Sequence, residues 1–240
     1  MNKYHKLPRL FLKQSLGTGG IVEVSNNQNH YISNVLRMKI GNFLRVFNEQ
    51  DGEFLSEIQS ISKKTSSLLI KEQTRISEKR NGPTIAFSLI KKQRQDFLIE
   101  KCTELGIKTF QPIITDHSEV RNLNQEKLTL QIIEATEQCE RLTIPFVENL
   151  EKLDDFINKS MGPIYYGLER SKAAAITEAL KETTANDTFL IGPEGGFSTR
   201  EKELLSQSSK TIAVNLGPNI LRAETAAIAC TTAWLFKNMA

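Results

Sequence analysis

Two hydrophobic patterns follow one another along the 240-residue chain. In the first 80 residues, short apolar-rich runs fall at 21–24, 42–47, 54–58 and 67–70, and 42–47 alternates apolar and polar side chains. Gly19-Gly20 and Asp51-Gly52 separate them. Alternation with period two between turn signals predicts strands, as in a small barrel. One helical interruption is predicted, capped by Asn29, with Tyr31, Val35 and Met38 near one face and His30 and Arg37 also on it. The polar stretch 76–83 ends in Gly-Pro and reads as a linker. The expected domains are therefore 1–75 and 76–240.

After Pro83 the pattern becomes strand and helix in turn. Strands are expected at 84–90, 109–115, 164–168, 189–191 and 211–216, and helices at 94–105, 124–142, 171–181, 199–206 and 223–237. Phe97, Leu98, Cys102 and Leu105 fall at helical spacing, and Gly106 is placed to end that helix. The long helix 124–142 is expected to break before Pro145. Ser198 with Glu201 three residues on forms a capping box. Such alternation predicts an α/β domain with a mostly parallel sheet and helices on both faces.

Charge changes the picture only when the chain is divided. The net charge is +3, yet residues 1–80 carry 13 basic and 7 acidic side chains, against 18 and 21 in the remainder. The basic part is the candidate for a polyanion, although a solvated basic face reads the same way on charge alone. At 39% hydrophobic and 25% charged, the composition is that of a globular protein and excludes a disordered or collagen-like chain. The longest weakly polar run, 226–236, is too short to span a membrane. No secretory signal is visible, and the expected location is cytoplasmic. Three scattered cysteines read as reduced thiols, and His5, His30 and His117 show no metal spacing, so no metal is expected.

Candidate chemistry sits in two loops that follow strands. In Ile191-Gly192-Pro193-Glu194-Gly195-Gly196-Phe197-Ser198, three glycines precede a capped helix and let backbone N–H groups approach a ligand. The loop is neither a dinucleotide fingerprint nor a triphosphate cradle, and glycine-rich loops are often only turns. In Leu216-Gly217-Pro218-Asn219-Ile220-Leu221-Arg222-Ala223-Glu224-Thr225, Arg222 and Glu224 stand at a helix start. A carboxylate there is ordinary, but an arginine opposes the helix dipole and points to an anion facing it. Both loops should lie beyond the carboxyl ends of strands, where open α/β sheets bind ligands. Lys91, Lys92, Arg94 and Lys101 cluster near a helix start, and Glu134, Glu137, Gln138 and Arg141 form a polar stripe. The first usually reads as a solvated face, and for the second the favoured bland reading is i,i+4 pairing of Glu137 with Arg141.

Taken in order, these motifs resemble the RsmE family of the SPOUT superfamily, methyltransferases of bacterial small-subunit ribosomal RNA. The resemblance rests on Gly192-Pro193-Glu194-Gly195-Gly196-Phe197-Ser198 with Glu201, and on Leu216-Gly217-x-x-Ile220-Leu221-Arg222-x-Glu224-Thr225-Ala226. It continues through Lys101-x-x-Glu104-Leu105-Gly106 and Glu134-Ala135-x-Glu137-Gln138-x-x-Arg141. It also covers His30-Tyr31-x-x-x-Val35-Leu36-Arg37 and Pro8-Arg9-x-Phe11 near the N-terminus. Lys92 departs from the pattern, since many members have glycine there.

The resemblance implies a trefoil-knotted SPOUT domain preceded by a PUA-like β-barrel that holds RNA. It implies methyl transfer from S-adenosylmethionine to N3 of a specific uridine in 16S rRNA, by a homodimer acting on the assembled small ribosomal subunit. The cofactor would lie against Leu168, Ile191, Gly192, Pro193, Gly195, Gly196, Leu216, Gly217 and Leu221. Arg222 would stabilise the uracil anion, with Glu194 and Glu224 competing as proton acceptor. Arg9, His30, Arg37, Lys91 and Arg94 would contact RNA. Methylation of another base or of a ribose 2′-OH stays open at this stage, as does a non-catalytic RNA-binding module.

Overall fold

In the computed structural model, which describes residues 4–168 and 172–239, the chain forms two compact units. The first runs to Lys79 and also takes in Thr136–Ile144; the second comprises Arg80–Ala135 and the chain from Pro145 onward. The stretch 136–144, which the sequence pattern places with the second domain, thus belongs to the first.

The first unit is built on β1 (Arg9–Phe11), β2 (Ile21–Ser25), β3 (Phe43–Asn48), β4 (Gly52–Ile61) and β5 (Thr65–Arg75), in the sheet order β1-β3-β4-β5-β2. All pairs are antiparallel except β1 with β3. Register shifts along β4 and β5 mark the irregular pairings that bend and curl a sheet of this kind. Val22 and Val24 of β2 and Leu68 and Ile70 of β5 point inward to a core with Leu44, Val46 and Ile58. Glu23 between the two valines is exposed, so the period-two reading holds here.

The helical interruption differs from its expectation. The helix α1 (Asn26–His30) is preceded by Ser25, and Asn29 lies inside it and is buried, so Asn29 is not the cap. Its Oδ1 accepts a hydrogen bond from the Ser66 hydroxyl at 2.5 Å. The next turn, Tyr31–Val35, is wound as a π-helix, with the Leu36 N–H donating to the Tyr31 carbonyl. Widening the turn changes which residues share a face. Ile32 becomes fully buried, while Val35 is exposed.

The second unit carries a parallel sheet of β6 (Thr84–Ser88), β7 (Thr109–Ile114), β8 (Phe146–Val147), β9 (Glu151–Lys152), β10 (Ile164–Gly167), β11 (Thr188–Ile191) and β12 (Thr211–Val214). The strand order is β12-β10-β11-β6-β7-β8, with β9 also on β7. Its helices are α2 (Lys92–Glu104), α3 (Gln125–Gln138), α4 (Leu153–Lys159), α5 (Ile176–Ala179), α6 (Thr199–Gln207) and α7 (Ala223–Met239). On one face Ala86, Ile164, Tyr166 and Leu190 pack with Phe156 and Ile157 of α4 and Leu205 of α6. On the other, α7 packs on α2 and on β11, and the buried Trp234 indole N–H donates to Asp187 just before β11 at 2.9 Å. The strand β12 lies outside β10, and α7 returns across to α2 and β11. The fold class is the expected one.

Several boundaries move. Helix α2 ends as anticipated: Gly106 takes φ +94°, and the Ile107 and Gly106 N–H groups return to the carbonyls of Cys102 and Thr103. Phe97, expected on its apolar face, is exposed. Helix α3 stops at Gln138 rather than 142, because Glu140 adopts φ +61° and the chain turns there, before Pro145. Only Ile176–Ala179 of the expected helix 171–181 is helical, and Ser171 lies outside the described residues. Cys102 and Cys230 are free and fully enclosed, and burial pushes the Cys102 thiol up to about 12. No helix among the described residues is long and apolar enough to cross a membrane.

Candidate active site at the carboxyl ends of three strands

The strand register brings the two loops together. In the centre of the group is β10, whose Tyr166 is level with Leu190 of β11 and whose Gly167 is level with Val214 of β12. Neighbouring strands lie about 4.8 Å apart, so Leu168, Gly192 and Asn215-Leu216 emerge side by side. The Leu168 N–H donates to the Val214 carbonyl at 3.0 Å, and the Gly217 N–H to Asn215 Oδ1 at 2.8 Å. The chain before α5 joins them, since the Asn215 N–H donates to the Ala174 carbonyl and Ala175 bridges to Asn215. Of the cofactor candidates, Ile191 and Pro193 are buried. Leu168, Gly192, Gly196, Leu216 and Leu221 are half-buried, and Gly195 and Gly217 are exposed.

The glycine turn is shaped by close packing. A Cβ on Gly192 would stand 3.0 Å from the Phe197 ring, and Gly196 has φ +67°, which favours glycine. Behind the turn lies Glu201, whose carboxylate belongs to a fully buried residue. It accepts from the Ser198 N–H at 2.9 Å and from the Asp116 N–H at 2.8 Å, while the Ser198 hydroxyl accepts from the Glu201 N–H. The capping box read from the sequence is present, and it also fastens the loop after β7 to the loop after β11.

Two residues of that β7 loop escaped the sequence reading. His117 Nδ1 lies 2.9 Å from the Gly196 carbonyl and 3.2 Å from that of Gly195. Carbonyl oxygens only accept, so Nδ1 carries the proton. Asp116 accepts from the Ser198 hydroxyl at 2.5 Å and from Arg200, which also reaches Asp154 at 2.7 Å. The Ser198 hydroxyl, then Arg200, holds the Asp116 carboxyl below its ordinary range. Nothing in the sequence pairs residues 116 and 117 with a loop some 80 positions later; only Glu201 carried a signal.

At the head of α7, Arg222 is the residue before the first turn, and its carbonyl accepts from the Ala226 N–H. Its guanidinium is exposed and has no hydrogen-bond or ion-pair partner among the described residues. Two residues on, Glu224 Oε2 is buried and also without a hydrogen-bond partner. Glu194, by contrast, has a partner, Arg94 at 3.3 Å, with side chains 30% and 34% exposed.

The RNA candidates are scattered. His30, Arg37 and Lys91 are exposed, and Lys91 lies 3.7 Å from Glu119 in an exposed pair of little energetic weight. Arg9 is a correction. Its guanidinium is buried, donating to Glu53 at 2.6 Å and to the carbonyls of Thr136 and Arg141 at 3.0 and 2.6 Å, with the Phe47 ring 3.8 Å away. An arginine enclosed by internal acceptors cannot reach a phosphate.

Comparison with known proteins decides the family. The RNA methyltransferase domain family matches residues 77–235, and the RNA methyltransferase PUA domain family matches residues 24–71. Ribosomal RNA small subunit methyltransferase E of Rickettsia conorii is 38% identical, over 93% of each chain. The chain belongs to the ribosomal RNA small subunit methyltransferase E family. The Bacillus subtilis member is 30% identical over 89% of each chain. Among solved structures, the methyltransferase E of Neisseria gonorrhoeae, bound to S-adenosylmethionine, superimposes with a TM-score of 0.83 at 27% identity, covering 95% of this chain and 96% of that one. A methyltransferase from Legionella pneumophila, also with bound S-adenosylmethionine, gives 0.84 at 27% identity, covering 95% and 97%. The resemblance read from the motifs is borne out, and with it the PUA-like reading of the first unit.

Proposed function

We propose that this member of the methyltransferase E family transfers the methyl group of S-adenosylmethionine to N3 of one uridine in the 16S rRNA of the small ribosomal subunit. The cofactor site fits the residues present: half-buried Leu168, Leu216 and Leu221 offer apolar surface, and at residue 192 a Cβ would crowd the Phe197 ring, so glycine keeps the turn close-packed there. When bound, S-adenosylmethionine supplies a methyl group activated by its sulfonium charge. The two relatives crystallised with it support the assignment.

One observation carries the catalytic reading. Arg222 is unpaired among the described residues and Glu224 keeps a buried oxygen without a hydrogen-bond partner, both in a chain segment that begins beside Leu168, one strand from Gly192 in the register. Uracil N3 holds a proton at neutral pH and attacks only as the anion. Arg222 stabilises negative charge on O2 and O4, because guanidinium remains charged and offers several donors. Glu224 accepts the N3 proton. Glu194, paired with Arg94, is the weaker candidate.

A homodimer acting in the cytoplasm completes this reading. Ile220, Phe236 and Met239 of the second unit expose apolar surface that a second copy would cover.

The test incubates the protein with small ribosomal subunits and S-adenosylmethionine labelled in the methyl group, then digests the RNA to nucleosides. The expected product is labelled 3-methyluridine. Label in a 2′-O-methylated nucleoside or in another base would overturn the N3 assignment. Absence of label, together with no calorimetric binding of S-adenosylmethionine, would instead leave a non-catalytic RNA-binding module.

A further inference from the structure

An open groove of about 770 Å³ lies within the first unit, between α1 with its π-turn and the hairpin joining β4 to β5. Asn26, His30 and Asn34 line its helical side, Lys63 and Lys64 line the hairpin side, and Asn29 lies between them. Among the described residues no carboxylate and no Phe, Tyr or Trp borders it.

The walls are held in place. Asn29 is buried and tied to Ser66 on β5, and its amide points to the Ser62 carbonyl at 3.4 Å. The hairpin is closed by Ser62, whose N–H donates to the Thr65 carbonyl at 2.8 Å and whose hydroxyl accepts from the Thr65 N–H at 3.0 Å. Lys63 and Lys64 therefore extend from a fixed turn, both exposed and neither with an ion-pair partner among the described residues. The Asn34 amide nitrogen lies 2.8 Å from His30 Nδ1. Since that amide nitrogen donates, His30 Nδ1 accepts, and neutral His30 carries its proton on Nε2.

We propose that this groove is a second RNA-contact site, which takes a stretch of sugar–phosphate backbone rather than stacked bases. Two lysines without competing carboxylates supply the charge for phosphates, and the asparagines and His30 supply neutral donors and acceptors for phosphate and ribose oxygens. With no Phe, Tyr or Trp bordering it, and His30 as the one ring among its described lining residues, the groove offers no extended platform for base stacking. The proposal rests on the reading of the protein as an RNA methyltransferase, and it gives two of the basic residues of the first 80 a role.

The experiment measures binding of a short, labelled, single-stranded RNA oligonucleotide across a range of salt concentrations. It compares the wild type, Lys63→Ala with Lys64→Ala, and Lys6→Ala with Lys13→Ala, which removes the same charge from exposed positions outside the groove. Unfolding midpoints and calorimetric affinity for S-adenosylmethionine verify that each variant is folded. Removing two single-strand phosphate contacts should lower the magnitude of the log–log salt slope by about 1.4 and weaken binding at 0.1 M salt by roughly tenfold or more. The control pair should leave the slope near the wild-type value. Unchanged affinity and slope in the groove variant, or an equal loss in the control, would overturn the proposal. Direct binding keeps the two readings apart, because failure of methyl transfer by the wild type counts against the reaction and leaves this measurement intact.

Discussion

In the first unit, the carboxylate of Glu53 is fully enclosed and faces two buried guanidinium groups, Arg9 at 2.6 Å and Arg45 at 3.8 Å. Arg45 continues to Glu140 at 2.8 Å, and Arg75 donates to the Glu140 carbonyl. At the head of α7 in the second unit, Arg222 and Glu224 stand without such partners. The same residue types therefore have opposite roles. Where charge is buried in quantity, nearly every group must be matched, because an unpaired ion in a low-dielectric interior costs several kcal/mol. Where a charge faces outward unmatched, it is available to a ligand. Pairing, rather than residue type, separates the enclosed arginine from the one left open to a ligand.

The contrast can be broken most sharply at Glu53. Replacing it with Ala leaves Arg9 and Arg45 buried without their shared counter-ion, and the expected loss is about 3–5 kcal/mol in urea unfolding. Glu53→Gln, which keeps the volume and an acceptor, should lose less. A loss under about 1 kcal/mol in Glu53→Ala would show that the cluster does not hold the first unit.

At the open end of the comparison, Arg222→Ala should unfold at the wild-type denaturant concentration and yet slow methyl transfer by roughly 10²–10³-fold. A lowered unfolding midpoint with little change in rate would reverse the assignment. Glu224→Gln sharpens it further, since loss of a proton acceptor reduces the rate and leaves the affinity for S-adenosylmethionine intact.

A smaller effect is expected at His117, which makes no buried ion pair and holds the glycine turn through the carbonyls of residues 195 and 196. His117→Ala removes one hydrogen-bonding group and should weaken binding of S-adenosylmethionine by roughly fivefold to tenfold. His117→Asn, which restores a short donor, should recover part of it. KM for the cofactor should rise more than kcat falls. An effect on stability alone would make the contact merely structural.

Much of this arrangement was legible in the residues. Short apolar-rich runs between turn signals marked β2 through β5, the capping box marked the start of α6, and Gly106 marked the end of α2. The two glycine-bearing loops and the Arg222–Glu224 pair were found as candidate chemistry before any fold was known. What the pattern missed shares one cause, dependence on distant parts of the chain. Helix α3 continues by local periodicity past Gln138, but the acceptors that Arg9 and Arg75 require turn the chain at Glu140. The π-turn exchanged Val35 for Ile32 because burial against the first unit's core outweighed regular helical spacing. Arg9 looked like a phosphate ligand because one basic residue beside Phe11 carries no mark of enclosure.

By itself the sequence determined most of the order of elements, though not β1, β8, β9 or α4, together with the division into a basic strand-rich part and an α/β part and the residue types at the carboxyl ends of the strands. These are local properties, governed by side-chain periodicity, caps and turn residues. Only the tertiary structure decided which charges are matched and which stay open. A charge is matched by whatever lies within a few ångströms, and for Arg9 that is Glu53 and the carbonyls of residues 136 and 141. For Arg222 no side chain or carbonyl among the described residues fills that place, and the residue is left exposed at the head of α7.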